Sequence, residues 1–227
     1  DSVLGKSREF REQLAANEIL NGNIPKFMEH FEKIRYDSDI LGKKYRVELY
    51  VLPDYLSVGR NNFARIPLTP MTAQKIADSL HCFLPTRKIV DIIYRYADVK
   101  LRPVPMYAFR DSSVTMYQHH LIIEGQRKQR KGMIAGIKKD VVITQRLDSL
   151  SHRVAIYGWH LPTGKPIQPL YTGHVDWYVD YSHGIRLIYE KIKVNGQWIL
   201  YSDLLKDKTL HFLICDEETC APYHYPY

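Results

Sequence analysis

Lys191-Ile192-Lys193-Val194-Asn195-Gly196-Gln197-Trp198-Ile199-Leu200-Tyr201 reads as a β-hairpin. Asn-Gly between two β-prone runs supplies the positive-φ pair that a two-residue hairpin turn demands. Upstream, Ile185-Arg186-Leu187-Ile188-Tyr189 continues the same character. Val141-Val142-Ile143-Thr144 and Arg153-Val154-Ala155-Ile156-Tyr157 are further strand-like runs. From Asp140 to Tyr201 the chain therefore reads mostly as β, with residues 203–214 as a last helix or edge element.

The first half reads differently. Ser7 can cap a helix over 7–20 that places Phe10, Leu14 and Ile19 on one side. Phe27, Met28, Phe31 and Ile34 fall at helical spacing and predict a second helix. Tyr45, Val47, Leu49 and Val51 alternate with charged and polar residues, which is strand spacing. Thr69-Pro70 opens a helix, because proline at the first helical position loses no needed N–H. Pro85-Thr86 opens another, with Ile89, Val90, Ile93 and Ala97 as its apolar stripe. Val114, Tyr117, Leu121 and Glu124 suit a helix capped by Ser112 or Ser113. Helices first and strands later predict an α+β fold rather than alternating βαβ units. The expected organisation is a helical arm over residues 1–40 packed on an α+β domain over 41–227, the two forming one compact unit.

Composition narrows the function. The 227 residues are 45% hydrophobic, enough for a core, and no run approaches the roughly 18 apolar residues of a membrane span. Net charge is +7. Its densest cluster, Arg127, Lys128, Arg130, Lys131, Lys138 and Lys139, has no interleaved aromatics, so it is read as a solvated segment and not as a nucleic-acid site. The chain starts at Asp1 rather than Met, which fits either a removed leader or a trimmed end. Cys215 and Cys220 flank a four-residue acidic spacer. That spacing fits a small disulfide loop or two free thiols; with export assumed, the disulfide is expected and Cys82 is left free. Seventeen tyrosines against seven phenylalanines suit half-wet surfaces, including carbohydrate-facing ones.

Chemistry concentrates in residues 157–186. The candidate catalytic residues are His183, His174, Asp180, Asp140, Ser182 and His160; the candidate substrate-binding residues are Lys139, Arg186, Trp159, Trp177 and Tyr181. Histidine beside a carboxylate can act as a general base near neutral pH. His174, Asp180 and His183 are also residue types that zinc accepts. Their spacing matches no zinc motif, and the residues assign no cofactor. Asp180 and His183 are an odd number apart, so they share a face only if a turn separates them. Gly173 and Gly184 are read as supplying the backbone freedom for such turns.

Ser182-His183-Gly184-Ile185-Arg186-Leu187 resembles the Ser-His-Gly-Cys-Ile-Arg signature of L,D-transpeptidases. The nucleophilic Cys is missing, since Ile185 follows Gly184, and His174 lies closer than that family's upstream histidine; no catalytic role is carried over. Pro67-Leu68-Thr69-Pro70, Leu84-Pro85-Thr86-Arg87, Ile137-Lys138-Lys139-Asp140, Arg153 to His160 and Tyr181-Ser182-His183-Gly184 resemble a group of uncharacterised secreted bacterial proteins over roughly residues 45–205. That resemblance implies an exported protein, periplasmic or secreted. The expectation is thus a hydrolase acting on a cell-envelope or extracellular polymer, glycan or peptide. The alternative is a non-enzymatic module that stacks sugars on Tyr and Trp.

Overall fold

A computed structural model describes residues 5–227. In chain order it holds α1 (Arg8–Leu20), β1 (Glu32–Ile40), β2 (Lys43–Val51), β3 (Ser57–Val58), β4 (Ala64–Arg65), α2 (Pro70–Ser79) and β5 (Cys82–Phe83). There follow α3 (Arg87–Tyr96), β6 (Val99–Lys100), α4 (Ser113–Arg127), β7 (Ile134–Ala135), β8 (Lys139–Val142) and β9 (Arg153–His160). The chain ends through β10 (Pro166–Val175), β11 (His183–Gly184), β12 (Ile188–Tyr189), β13 (Lys191–Val194), β14 (Gln197–Leu200) and α5 (Tyr201–Lys206). The fold is α+β.

The larger sheet runs β14-β13-β2-β12-β5, with β1 on the other edge of β2. Its hairpin at Asn195-Gly196 forms as expected, pairing Val194 with Gln197. The predicted second helix does not form. Only Lys26–Glu29 turns, as a short 3₁₀ segment, before β1 begins. Ile34, Tyr36 and Ile40 are buried, and they alternate with Lys33, Arg35, Asp37 and Asp39. This period of two outranks the looser helical spacing once β2 offers its free edge. The pairing from Glu32–Val51 to Ile40–Lys43 crosses residue 40. The N-terminal segment is therefore part helix and part sheet, not a helical arm.

The capped helices appear where the sequence places them. Ser7, Thr69, Thr86 and Ser112 each accept a backbone N–H at a helix start. Glu12 of α1 is buried and accepts from both Thr69 N and Thr69 Oγ1 at 2.8 Å. A carboxylate at this position also meets the positive end of α2, so α1 is tied to the body by charge as well as packing.

The second sheet positions the site. Its order is β10-β9-β8-β11, antiparallel except for the parallel β8–β11 pair. Tyr225 from the C-terminal segment is buried against it, donating to Val142 O and accepting from Ala155 N. No helix among the described residues is long and apolar enough to cross a membrane.

Candidate functional site

His183 opens β11 directly opposite Lys139 of β8. The chain reaches this register through a tight turn. Asp180 Oδ1 accepts from Ser182 N at 2.8 Å and from Ser182 Oγ at 2.6 Å, and His183 N donates to Asp180 O. An Asp side chain bonded to its own backbone two residues on is a turn-former in its own right. This is the turn that the odd separation of Asp180 and His183 requires.

The remaining Asp180 oxygen accepts from Arg110 at 2.6 Å and from Tyr178 Oη at 3.1 Å. Burial alone would raise this carboxyl. The nearby His183, the Ser182 bonds and Arg110 outweigh it and hold Asp180 well below the usual carboxylate range. Burial, reinforced by Asp180, pushes the Tyr178 hydroxyl up to about 12, so it stays a donor.

His174 reaches the same place from β10. Its ring centroid lies 6.2 Å from that of His183, 4.8 Å from Tyr178 and 5.1 Å from Tyr171. Register shifts on both sides of Tyr171 let β10 deliver it. His174 is half-buried and His183 is 1% exposed. Neither nitrogen of His183 has a hydrogen-bond partner among the described residues. Burial, with Lys139 and His174 nearby, pushes its imidazole down to about 4 against the pull of Asp180. His174 is lowered too, chiefly by burial. Lys139 Nζ lies 4.7 Å from the Trp159 ring centre, and burial lowers its pKa. Two neutral imidazoles, a cation and an ionised carboxylate thus form one cluster.

Other candidates are not brought there. Asp140, next to Lys139 on β8, turns to the opposite side, as strand neighbours do. It is buried near Arg186, His160 and Lys138, and burial pushes it up to about 7. Arg186 binds no surface ligand: it is 1% exposed and donates to Leu52 O and Ile134 O. His160 bonds Asp91 at 2.8 Å and stacks on Tyr94, lining a separate cleft of about 380 Å³ with Arg95 and Lys100. Ser182 is fully buried and its hydroxyl donates to Asp180 Oδ1 at 2.6 Å, which fixes the turn before His183.

The aromatic candidates divide similarly. Tyr181 is buried, its hydroxyl accepting from Met106 N, and Trp159 donates to Ile137 O; both are walls rather than sugar platforms. Trp177 is exposed beneath the Arg8 guanidinium. The two glycines act by lacking a Cβ rather than through positive φ. A Cβ on Gly173 would meet the Tyr171 hydroxyl, and one on Gly184 the Tyr55 ring.

Arg110 and Tyr178 are the residues that sequence reasoning missed. Arg110 lies 70 residues before Asp180 and carries no local signal. Tyr178 could have been found from its place two residues before Asp180 in the polar segment. Among the described residues, the one group of His, Cys, Asp or Glu ligand atoms gathered within 4.8 Å is Cys215, Glu217 and Cys220. Its two sulfurs are joined in a disulfide, and Cys82 is free and buried.

An α+β chain with a histidine–carboxylate recess at a parallel strand pair is as far as fold and site define a class. No family model, curated protein or solved structure matches the chain.

Proposed function

We propose that the protein is an exported hydrolase acting on a cell-envelope or extracellular polymer, with its chemistry in the His174–His183 recess. The observation that carries this reading is the buried His183 imidazole with both nitrogens unpartnered, facing a second imidazole at 6.2 Å. Buried polar groups without partners are costly, and a substrate or water oxygen between the rings removes that cost. With a ring nitrogen about 1.1 Å from its centroid and a hydrogen bond of about 2.8 Å, an oxygen bonded to both rings subtends about 100°, near tetrahedral. The same construction with metal–nitrogen bonds of about 2.0–2.1 Å opens the angle to about 150–180°, far from the zinc preference. The spacing therefore favours a water held by two bases over a zinc ion held by two ligands.

At neutral pH the depressed imidazoles are in the base form. One imidazole takes a proton from the bound water as its oxygen bonds to the scissile carbonyl carbon. Negative charge that develops on the carbonyl oxygen is stabilised by the Lys139 ammonium. Collapse breaks the bond to the leaving amine or alcohol, which recovers the proton from the imidazolium. Asp180, kept ionised by Arg110, Ser182 and Tyr178, stabilises that transient imidazolium. The Cys215–Cys220 disulfide supports an oxidising, extracytoplasmic compartment.

The test is release of free amino ends from purified peptidoglycan, which wild type should give and which the carbonyl chemistry above requires. His183→Gln and His174→Gln should each lose about 10²–10⁴-fold in rate at unchanged melting temperature. Retention of the polymer without any release would replace this reading with the binding-module one.

A further inference from the structure

Helix α4 leaves a row of apolar side chains in solvent. Its buried face carries Thr115, Met116, His119, His120 and Ile123. Its outer face carries Val114, Tyr117 and Leu121, which are 53, 54 and 51% exposed. With Glu124, these are the residues whose spacing suits a helix; the helix forms, with these three turned to solvent. A surface helix ordinarily shows the reverse polarity. The inversion has a local cause. The Arg65 guanidinium is buried between Asp54 and Glu124, with His120 Nδ1 at 3.1 Å. This polar cluster takes the part of α4 around His120 and Glu124, while Met116 and Ile123 pack in apolar clusters beside it.

The apolar row continues past the helix start. The preceding loop holds Tyr107 and Phe109 at 87 and 81% exposure. Together with Met106, Val114 and Thr115 they line an open groove of about 540 Å³ whose walls are almost wholly apolar. Single exposed apolar residues need no explanation, but a contiguous patch does. At the far end the row Val114, Tyr117, Leu121 runs on at helical spacing to Gly125 and Lys128. Lys128, Arg130 and Lys131 are all exposed there. The row is therefore aromatic and aliphatic along its length and cationic at its end, on a chain of net charge +7.

We infer that this face is a peripheral docking surface for anionic lipid bilayers. Tyrosine and phenylalanine at a loop tip can bury their rings at the headgroup level. The lysines and arginine at the other end of α4, roughly 20 Å along the helix, gain from the negative surface potential when the helix lies along the bilayer. The same net charge opposes a second copy of the chain on this face. The surface is also continuous with the recess. Arg110, between Phe109 and Asp111, holds Asp180, and Arg11 of α1 bonds Asp111 O and Ser113 Oγ. A bilayer bound to Tyr107 and Phe109 would thus sit against the loop that supports the site. The inference concerns binding and stands independently of the chemistry at His183.

The test is co-sedimentation of the full chain with large vesicles of phosphatidylcholine alone or with one-third phosphatidylglycerol. Wild type should bind the anionic vesicles and be weakened as ionic strength rises toward physiological. Tyr107→Ser/Phe109→Ser and, separately, Lys128→Gln/Lys131→Gln should each weaken binding about tenfold, with circular dichroism and melting temperature unchanged because all four side chains are exposed. Absence of binding to anionic vesicles would overturn the inference, as would binding that neither double variant alters. So would loss, in the aromatic variant, of a concentration-dependent dimer or of retention on insoluble glycan while vesicle binding stays at background.

Discussion

His119 is the clearest case of a group whose protonation is incompatible with the fold. It is fully buried on the inner face of α4, its ring edge-on to Tyr181 at 4.9 Å, and neither nitrogen has a partner among the described residues. Burial, then the Lys138 and Arg65 charges, push its imidazole down to about 2. In the unfolded chain it titrates near the ordinary value of about 6.5. Below that pH the unfolded state accepts a proton that the folded state refuses, so stability falls as pH falls. At pH 5 the two values are separated by about 1.5 units of proton uptake by the unfolded chain alone, a loss of about 2 kcal/mol. His119→Phe removes this group and keeps an aromatic edge against Tyr181. Urea denaturation of both proteins at about pH 7.5 and about pH 5 isolates the effect. The variant should gain about 2 kcal/mol on wild type between the two conditions. Any packing penalty from the larger ring shifts both measurements equally. The opposite titration of Asp140, whose carboxyl is pushed up to about 7 by burial, is common to both proteins and cancels. A difference that stays constant with pH would show that His119 is solvated or protonated in the fold, and the reasoning would fail.

Three further outcomes follow from the packing around β11 and from the cysteines. Gly184→Ala would place a methyl group 2.7 Å from the Tyr55 ring and 2.9 Å from Lys138 Cβ; a cost of about 1–3 kcal/mol is expected from overpacking, and an unchanged melting temperature would mean that the Tyr55 ring yields. Thiol labelling of the unfolded, unreduced chain should find one reactive cysteine, Cys82, and three after reduction, whereas three before reduction would rule out the Cys215–Cys220 bond. In the native protein Cys82 should resist labelling, because burial pushes its thiol up to about 12.

Much of the local structure was legible in the residues. Ser7, Thr69, Thr86 and Ser112 mark helix starts, and Asn195-Gly196 marks a hairpin, because caps and turns are decided by a few neighbouring residues. The helical spacing of Phe27, Met28, Phe31 and Ile34 does not predict β1, because the alternation that follows from Glu32 acquires meaning only beside β2. Strand pairing is a long-range interaction, and a short apolar run carries both periods at once.

The sequence by itself determined the α+β class, the helix starts at Ser7, Thr69, Thr86 and Ser112, and the crowding of histidines and carboxylates near 174–183. Tertiary structure decided which of them meet. It brought His174, His183, Asp180 and Lys139 together and added Arg110 from 70 residues upstream. It sent Asp140 and Arg186 into the core and His160 to a different cleft. It also turned the apolar stripe of α4 outward, because the buried Arg65 had to be matched by Asp54, Glu124 and His120 from the other side. Periodicity says that a helix has two faces. Which face is buried depends on what the rest of the fold presents to it, and an unmatched buried guanidinium costs more than a few exposed apolar side chains.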